Sequence, residues 1–218
     1  MAVGHGHEVY WEECGNPMGR PVVFLHGGPG GGCSPTARRL FDPRRYRIIL
    51  MDQRGCGRSL PHAETAHNFL AHLVADVEQL RMHMGVDNWL LCGGSWGCTL
   101  ALAYAKQFTQ HVSGMVLRGV FAAQDHELDW LYKAGGASRV FCREWQDYVS
   151  AIQTHMALDA DNVKARSGQS SVLLNAYDKV LQEGTKTQAL AMARAWCTWE
   201  DALSSVYPGD PAHASQAS

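Results

Sequence analysis

The segment Trp89-Leu-Leu-Cys-Gly-Gly-Ser-Trp-Gly97 joins a short apolar run to a serine flanked by glycines. Its last five residues fit the pattern G-x-S-x-G, in which the serine sits on a sharp turn between a strand and a helix. The glycines let neighbouring backbone pass without a Cβ clash, so the Ser95 hydroxyl projects from the edge of a sheet. A helix that begins after Ser95 directs backbone N–H groups at developing negative charge. The segment therefore predicts a nucleophilic serine; an incidental serine in a glycine-rich turn is the alternative.

Short apolar runs alternate with amphipathic stretches on both sides of this segment. The apolar runs predict strands at 21–25, 46–51, 89–92 and 112–117, and the periodic stretches predict helices at 70–84 and 99–107. Uninterrupted apolar strands that alternate with helices indicate a mostly parallel sheet covered on both faces, an α/β fold. Ligands of such sheets bind beyond the carboxyl ends of the strands, where the three glycine-rich loops of this chain would gather.

The first of these loops, His26-Gly-Gly-Pro-Gly30, follows the first strong strand. An oxyanion hole takes one N–H from the residue after the nucleophile and a second from a loop beside it. We assign these donors to Trp96 and Gly28. A phosphate-binding loop is excluded, because the chain has no G-x-x-x-x-G-K-[ST] and its glycines miss the dinucleotide spacing. His26, at a strand end, is predicted to be structural.

The remaining loop, Asp52-Gln-Arg-Gly-Cys-Gly-Arg-Ser59, has glycines that suit a tight turn at the sheet edge. We expect Arg54 to pair with a carboxylate beneath the site. Structural and catalytic roles both stay open for Asp52 and Arg54.

Taken in order, HGGPGGG at 26–32, DQRGCGRS at 52–59 and GGSWG at 93–97 resemble the prolyl aminopeptidases, or proline iminopeptidases, a family of α/β-hydrolase serine peptidases. Further similar stretches lie at 10–17, 127–132, 136–139 and 196–200. The resemblance implies an α/β-hydrolase fold with a helical cap, no cofactor, and a peptide substrate with a free N-terminal proline.

The resemblance also implies roles for individual residues. Ser95 would attack the carbonyl of the first residue of the peptide, while the N–H groups of Trp96 and Gly28 hold the oxyanion. Glu200 would bind the free amino group, since a buried carboxylate favours a cationic amine. A solvated helix carboxylate is the alternative for Glu200.

The sequence predicts three segments: a partial α/β-hydrolase core at 1–121, a mostly helical cap at 122–205 and a flexible tail at 206–218. In α/β-hydrolases the acid and then the histidine follow the serine along the chain, on the loops after later strands. Asp210 and His213 occur in this order, but the two residues between them leave no room for a strand. We therefore identify no triad acid or histidine. The last core strands are expected to be absent, which leaves strand 112–117 as an open apolar edge.

The overall composition excludes several classes of partner. A formal net charge of −2 creates no electrostatic field that would attract nucleic acid. No apolar run approaches the length that spans a membrane. Seven scattered cysteines indicate reduced thiols in a cytoplasmic protein. No metal site is expected: His62, His67 and His72 would spread around a helix, and His5 and His7 would lie in a flexible terminus.

Two other functions stay open. The chain could be another serine hydrolase, an esterase or amidase, although the Trp196-Cys-Thr-Trp-Glu200 stretch argues against it. It could also be a non-catalytic binding or dimerisation module built on an inactive hydrolase, because a serine without a base is a poor nucleophile. A dehalogenase is excluded, since the turn carries Ser95 and not a carboxylate.

Overall fold

The computed structural model describes residues 1–156 and 170–204. The chain divides into two compact units, Met1–Ala123 and Gln124–Ser218. The predicted core segment, 1–121, ends two residues before this division. The assignment of 122–205 as a cap stays a prediction, and the predicted tail at 206–218 lies outside the described residues.

The chain begins with a hairpin of two short strands, β1 (Ala2–Gly4) and β2 (His7–Glu8). The expectation that this terminus is flexible is wrong. The hairpin is held to the first unit by paired backbone hydrogen bonds between Glu8 and Leu60, of 2.7 and 2.9 Å. His7 is buried, and its Nε2 lies 2.9 Å from the Ala66 carbonyl.

A five-stranded sheet forms the centre of the first unit. Its strands are β3 (Trp11–Gly15), β4 (Arg20–Leu25), β5 (Tyr46–Met51), β6 (Trp89–Gly94) and β7 (Val112–Arg118). Their order is β3-β5-β4-β6-β7; β4 to β7 run parallel, and β3 is antiparallel to β5. The predicted mostly parallel sheet is confirmed, and each predicted strand is found within two residues of its expected bounds.

The faces of the sheet are covered by different kinds of helix. α1 (Leu70–His83) and α2 (Trp96–Gln107) join one apolar cluster with residues of four strands. The 3₁₀ helix Pro35–Leu40 contributes to the cluster on the opposite face. Val22 and Val23 are adjacent in β4 and point to opposite clusters, yet both are fully buried. Burial on both faces explains why the strand sequences are continuously apolar. Burying each large apolar side chain stabilises the fold by about 1.5–3 kcal/mol.

Strand β7 lies at one edge of this sheet, beside β6. Within the described part of the chain no strand pairs with its outer side. Met115 and Val116 are 42% and 52% exposed. The edge is therefore open and partly apolar, as the sequence predicted.

The second unit contains helices and no strand among its described residues. Its helices are α3 (Asp125–Tyr132), α4 (Cys142–Met156), α5 (Ser170–Glu183) and α6 (Lys186–Ser204). Aromatic rings fill the space between them, with Tyr148 stacked on Tyr177 at 4.5 Å between ring centroids and Trp199 fully buried beside them. No helix in the described ranges combines the length and the apolarity that crossing a membrane would require.

Candidate active site

Ser95 occupies a strained turn between β6 and α2. Its backbone has φ 52° and ψ −121°, in a region that residues other than glycine rarely adopt. A Cβ on Gly97 would collide with the Leu25 carbonyl, and one on Gly93 would collide with the Gly97 carbonyl. Both glycines are thus required for the turn to form. Strain of this kind costs roughly 1–3 kcal/mol and is concentrated at functional sites.

The turn presents Ser95 to solvent at the start of a helix. The residue is exposed, and its backbone N–H donates to the Arg118 carbonyl at 3.0 Å, which ties the turn to β7. Trp96 is the first residue of α2, so its N–H has no acceptor inside the helix. That N–H and the positive end of the helix are suited to stabilising negative charge near Ser95.

The glycine-rich loop after β4 lies directly beside this turn. A Cβ on Gly27 would come within 3.4 Å of the Ser95 Cβ and 3.2 Å of the Gly94 carbonyl oxygen. Gly28 follows with φ 126°, a conformation that favours glycine. The structure therefore brings the loop that contains one predicted oxyanion donor next to the serine. The roles of Gly28 and Trp96 as donors stay predictions.

A buried glutamine, Gln53, links the start of α2 to the end of β4. The sequence analysis named this residue only as a member of its loop. Gln53 accepts a hydrogen bond from Trp96 Nε1 at 3.0 Å and donates from Nε2 to the His26 carbonyl at 2.9 Å. Its backbone N–H donates to His26 Nε2 at 2.9 Å. Gln53 thus fixes the Trp96 ring relative to the strand end that begins the glycine-rich loop. Nothing in the local pattern DQRG distinguishes such a bridge from an exposed turn glutamine.

His26 has a structural geometry. Because Nε2 accepts from the Gln53 N–H, the ring proton lies on Nδ1, which donates to the Gly27 carbonyl at 2.7 Å. Burial lowers the pKa of His26, and the hydrogen bond to Gly27 opposes this only in part. The ring is neutral at neutral pH with both nitrogens engaged, so it has no lone pair to offer Ser95.

Asp52 and Arg54 also have structural partners. Asp52 is buried; burial would raise its pKa, but hydrogen bonds from Arg58 and from the Cys33 N–H prevail and lower it. Arg54 forms a buried fork with Asp76 of α1, with N···O distances of 2.7 and 2.5 Å. The expected carboxylate partner of Arg54 is therefore confirmed.

A general base for Ser95 is not found among the described residues. The Ser95 hydroxyl forms no hydrogen bond with any of them. His111 precedes β7, at the end of the strand remote from Arg118, and its Nδ1 lies 2.7 Å from the Asp87 carbonyl. Asp210 and His213 lie outside the described residues.

In the second unit, Glu200 of α6 lies at the edge of the aromatic cluster. Tyr132 donates a hydrogen bond from its hydroxyl to Glu200 Oε1 at 2.5 Å and stacks on Trp196. Burial raises the pKa of Glu200, and the hydrogen bond from Tyr132 opposes the rise. The alternative of a solvated helix carboxylate is wrong. Its role toward a substrate amine stays a prediction.

Comparison with curated proteins gives extensive matches to one named activity. The chain is 45% identical to a proline iminopeptidase of Xylella fastidiosa over 95% of this chain and 62% of that protein. It is 45% identical to one from Neisseria gonorrhoeae over 93% of this chain and 61% of that protein, and 44% identical to one from Arabidopsis thaliana over 92% and 49%. The predicted resemblance is confirmed. The chain spans about three fifths or less of the length of these relatives.

Comparison with solved structures and with protein families supports the fold. A proline iminopeptidase-related protein from Thermus thermophilus superposes with a TM-score of 0.53 at 22% identity, covering 90% of this chain and 69% of that one. An esterase from a Rhodococcus species gives 0.51 at 22% identity, covering 89% and 65%. At these identities the likeness shows the fold alone. The alpha/beta hydrolase fold family matches residues 20–195, and the chain belongs to that family.

Proposed function

We propose that this chain carries the nucleophile and the substrate-binding groups of a serine exopeptidase that releases N-terminal proline from peptides. The observation that carries the proposal is the exposed Ser95 on its strained turn beside Gly27, in a chain 45% identical to a proline iminopeptidase over 95% of its length. We place the protein in the cytoplasm, a proposal that rests on its seven scattered cysteines.

The proposed reaction begins with attack by Ser95 Oγ on the carbonyl carbon of the N-terminal proline. The resulting oxyanion is held by the N–H groups of Trp96 and Gly28, with support from the helix dipole of α2. The serine proton passes to a general base, which the described residues do not supply, and then to the departing amine, which leaves a prolyl ester on Ser95. Water then hydrolyses the ester and releases proline.

Glu200 restricts cleavage to the N-terminal residue of a peptide. A half-buried carboxylate that already accepts a hydrogen bond from Tyr132 has a second oxygen to accept one from a cationic amine. Peptides without a free amino group leave that carboxylate without a cation. The proposal therefore predicts an exopeptidase and not a general amidase.

A non-catalytic module is the second candidate, and the absence of a base at Ser95 among the described residues favours it. Serine hydrolases that lose members of their triad retain a small residual rate from the oxyanion hole and from binding. If the chain acts alone, we expect turnover about 10³-fold or more below that of a longer relative.

The test is hydrolysis of proline arylamide by the purified 218-residue chain, with the Xylella fastidiosa relative measured beside it. N-acetylproline arylamide and a simple acetate ester are the comparison substrates, and Ser95→Ala is the control for the nucleophile. We expect slow hydrolysis of the free-amine substrate, which Ser95→Ala lowers further to the residual rate that the oxyanion hole and binding support. Preference for the ester would support an esterase, and a folded chain with no Ser95-dependent turnover would support the non-catalytic module.

Binding of proline amide, measured by calorimetry, tests the Glu200 role separately from turnover. We expect Glu200→Gln to weaken binding about tenfold or more, because truncating one partner of a buried charge pair costs at least about 2 kcal/mol. Asp201→Asn is the matched control, since this neighbour on the same helix is exposed. Equal affinity of Glu200→Gln and the unmodified chain would refute the assignment.

A further inference from the structure

Three histidines of the first unit converge on its surface from two segments of the chain. His5 lies in the turn of the β1–β2 hairpin, His67 precedes α1, and His72 lies in the first turn of α1. The rings of His5 and His67 are stacked with centroids 4.2 Å apart, and the His72 ring stands edge-on at 5.5 and 5.8 Å from them. The expectation that His67 and His72 share a helix is wrong, because α1 begins at Leu70.

The two backbone segments that carry these histidines are tied to the first unit by hydrogen bonds. His5 and His67 have φ of 53° and 54°, a left-handed conformation that non-glycine residues seldom adopt. The His67 carbonyl accepts a hydrogen bond of 2.7 Å from Arg54, the buried arginine that also binds Asp76. The hairpin is joined to the same loop through the hydrogen bond between His7 and the Ala66 carbonyl. The three Cα positions are thus fixed while two of the rings remain accessible.

The donor atoms of the cluster suit a metal ion. One ring nitrogen from each histidine lies within 4.8 Å of the others. Zinc–imidazole bonds of about 2.0–2.1 Å in a tetrahedral site require nitrogens roughly 3.4 Å apart. His5 and His67 are exposed, so rotation of their side chains can close the difference. Imidazole nitrogens are ligands of zinc, copper and nickel, which distinguishes this set from an oxygen-rich calcium or magnesium site.

The surroundings of the cluster support the same conclusion. The Nδ1 atom of His72 is buried and has no hydrogen-bond partner among the described residues. Glu64 lies three residues before His67 in the same loop, and its carboxylate accepts a hydrogen bond from the Ala66 N–H at 2.8 Å. A buried ring nitrogen without a partner in one of the three histidines fits a bound cation.

We propose that His5, His67 and His72 form a binding site for a divalent transition metal ion, with Zn²⁺ as the natural probe. Three imidazoles leave a fourth coordination position for water or an added ligand. The ion would join the hairpin to the segment before α1. The site includes neither Ser95 nor Glu200, and the proposal is independent of the proposed peptidase activity.

The test is calorimetric titration of the tag-free 218-residue chain with zinc chloride, with the Co²⁺ absorption spectrum as a report of coordination geometry. His5→Gln and His67→Gln remove exposed ligands, and His62→Gln is the matched control, because this exposed histidine of the same loop lies outside the cluster. Circular dichroism verifies the fold of each variant. We expect one zinc ion per chain, weakened at least about tenfold in the two ligand variants and unchanged in His62→Gln.

The proposal also predicts that zinc raises the midpoint of thermal unfolding of the unmodified chain, because the ion binds the folded state. His5→Gln, in an exposed turn, should abolish this shift while leaving the midpoint without zinc unchanged. The absence of zinc binding at 100-fold excess overturns the proposal. Zinc binding of unchanged affinity in His5→Gln, or an equal loss of affinity in His62→Gln, also overturns it.

Discussion

The buried pair between Arg54 and Asp76 offers the sharpest test of how the first unit is held together. The two side chains are 1% and 0% exposed, and two hydrogen bonds of 2.7 and 2.5 Å form a fork between them. Asp76→Ala leaves the guanidinium charged, since arginine does not lose its proton in proteins. Removing one partner of a buried pair typically costs about 3–5 kcal/mol.

This loss of free energy converts into a large shift of the melting temperature. An unfolding entropy of about 2.1 cal/mol/K per residue amounts to roughly 0.26 kcal/mol/K for the 123 residues of the first unit. The expected decrease is therefore about 10–20 °C. Equilibrium unfolding in urea and thermal melting followed by circular dichroism give the free energy and the midpoint.

Two further variants separate the buried charge from other effects. Glu13→Gln breaks the partly exposed pair with Arg47 across β3 and β5 and should cost less than about 1 kcal/mol. The double variant Arg54→Met with Asp76→Leu removes both charges and should recover most of the lost stability. A loss below about 1 kcal/mol in Asp76→Ala would show that water reaches the pair. No recovery in the double variant would show that the pair itself is net stabilising, and either result would refute the reasoning.

Three other predictions concern the site. Gly97→Ala places a Cβ against the Leu25 carbonyl and should destabilise the first unit by about 1–3 kcal/mol in urea unfolding, whereas an unchanged midpoint would mean that the turn has room to move. Gln53→Leu leaves Trp96 Nε1 without its acceptor and should cost about 1–3 kcal/mol, with a change in the tryptophan fluorescence of the folded chain as the independent readout. Burial raises the pKa of Glu200 above its value in the unfolded chain, so its contribution to stability is fully present below the unfolded pKa and is lost as pH rises through the folded pKa. Urea unfolding between pH 4 and 8 should show this loss in the unmodified chain and not in Glu200→Gln; identical profiles would contradict it.

The sequence predicted the sheet well because its strands are buried on both faces. An uninterrupted apolar run such as the one in β5, bounded by a glycine-rich loop, leaves few alternatives for its structure. The serine turn was equally accessible because the pattern G-x-S-x-G is local. Only the contact of Gly93 with the Gly97 carbonyl lies within the turn, whereas Gly97 is required by the Leu25 carbonyl of β4.

Contacts between distant segments could not be predicted in the same way. The bridge from Gln53 to Trp96 spans 43 residues, and that from Tyr132 to Glu200 spans 68. No local periodicity encodes such distances. The error at His67 was of another kind. His67 has a left-handed backbone and α1 begins only at Leu70, so the interval from His67 to His72 is not helical throughout.

Among the described residues, the open side of β7 presents main-chain donors and acceptors that an extended segment can pair with. An edge strand captures an extended segment through main-chain hydrogen bonds and selects it by alternate side chains, here around Met115 and Val116. The Ser95 N–H binds the Arg118 carbonyl at the end of this same strand. An extended segment bound to β7 would therefore pair with the strand whose last residue holds the backbone of the nucleophile itself, so that the reactivity of Ser95 would report the occupancy of this edge.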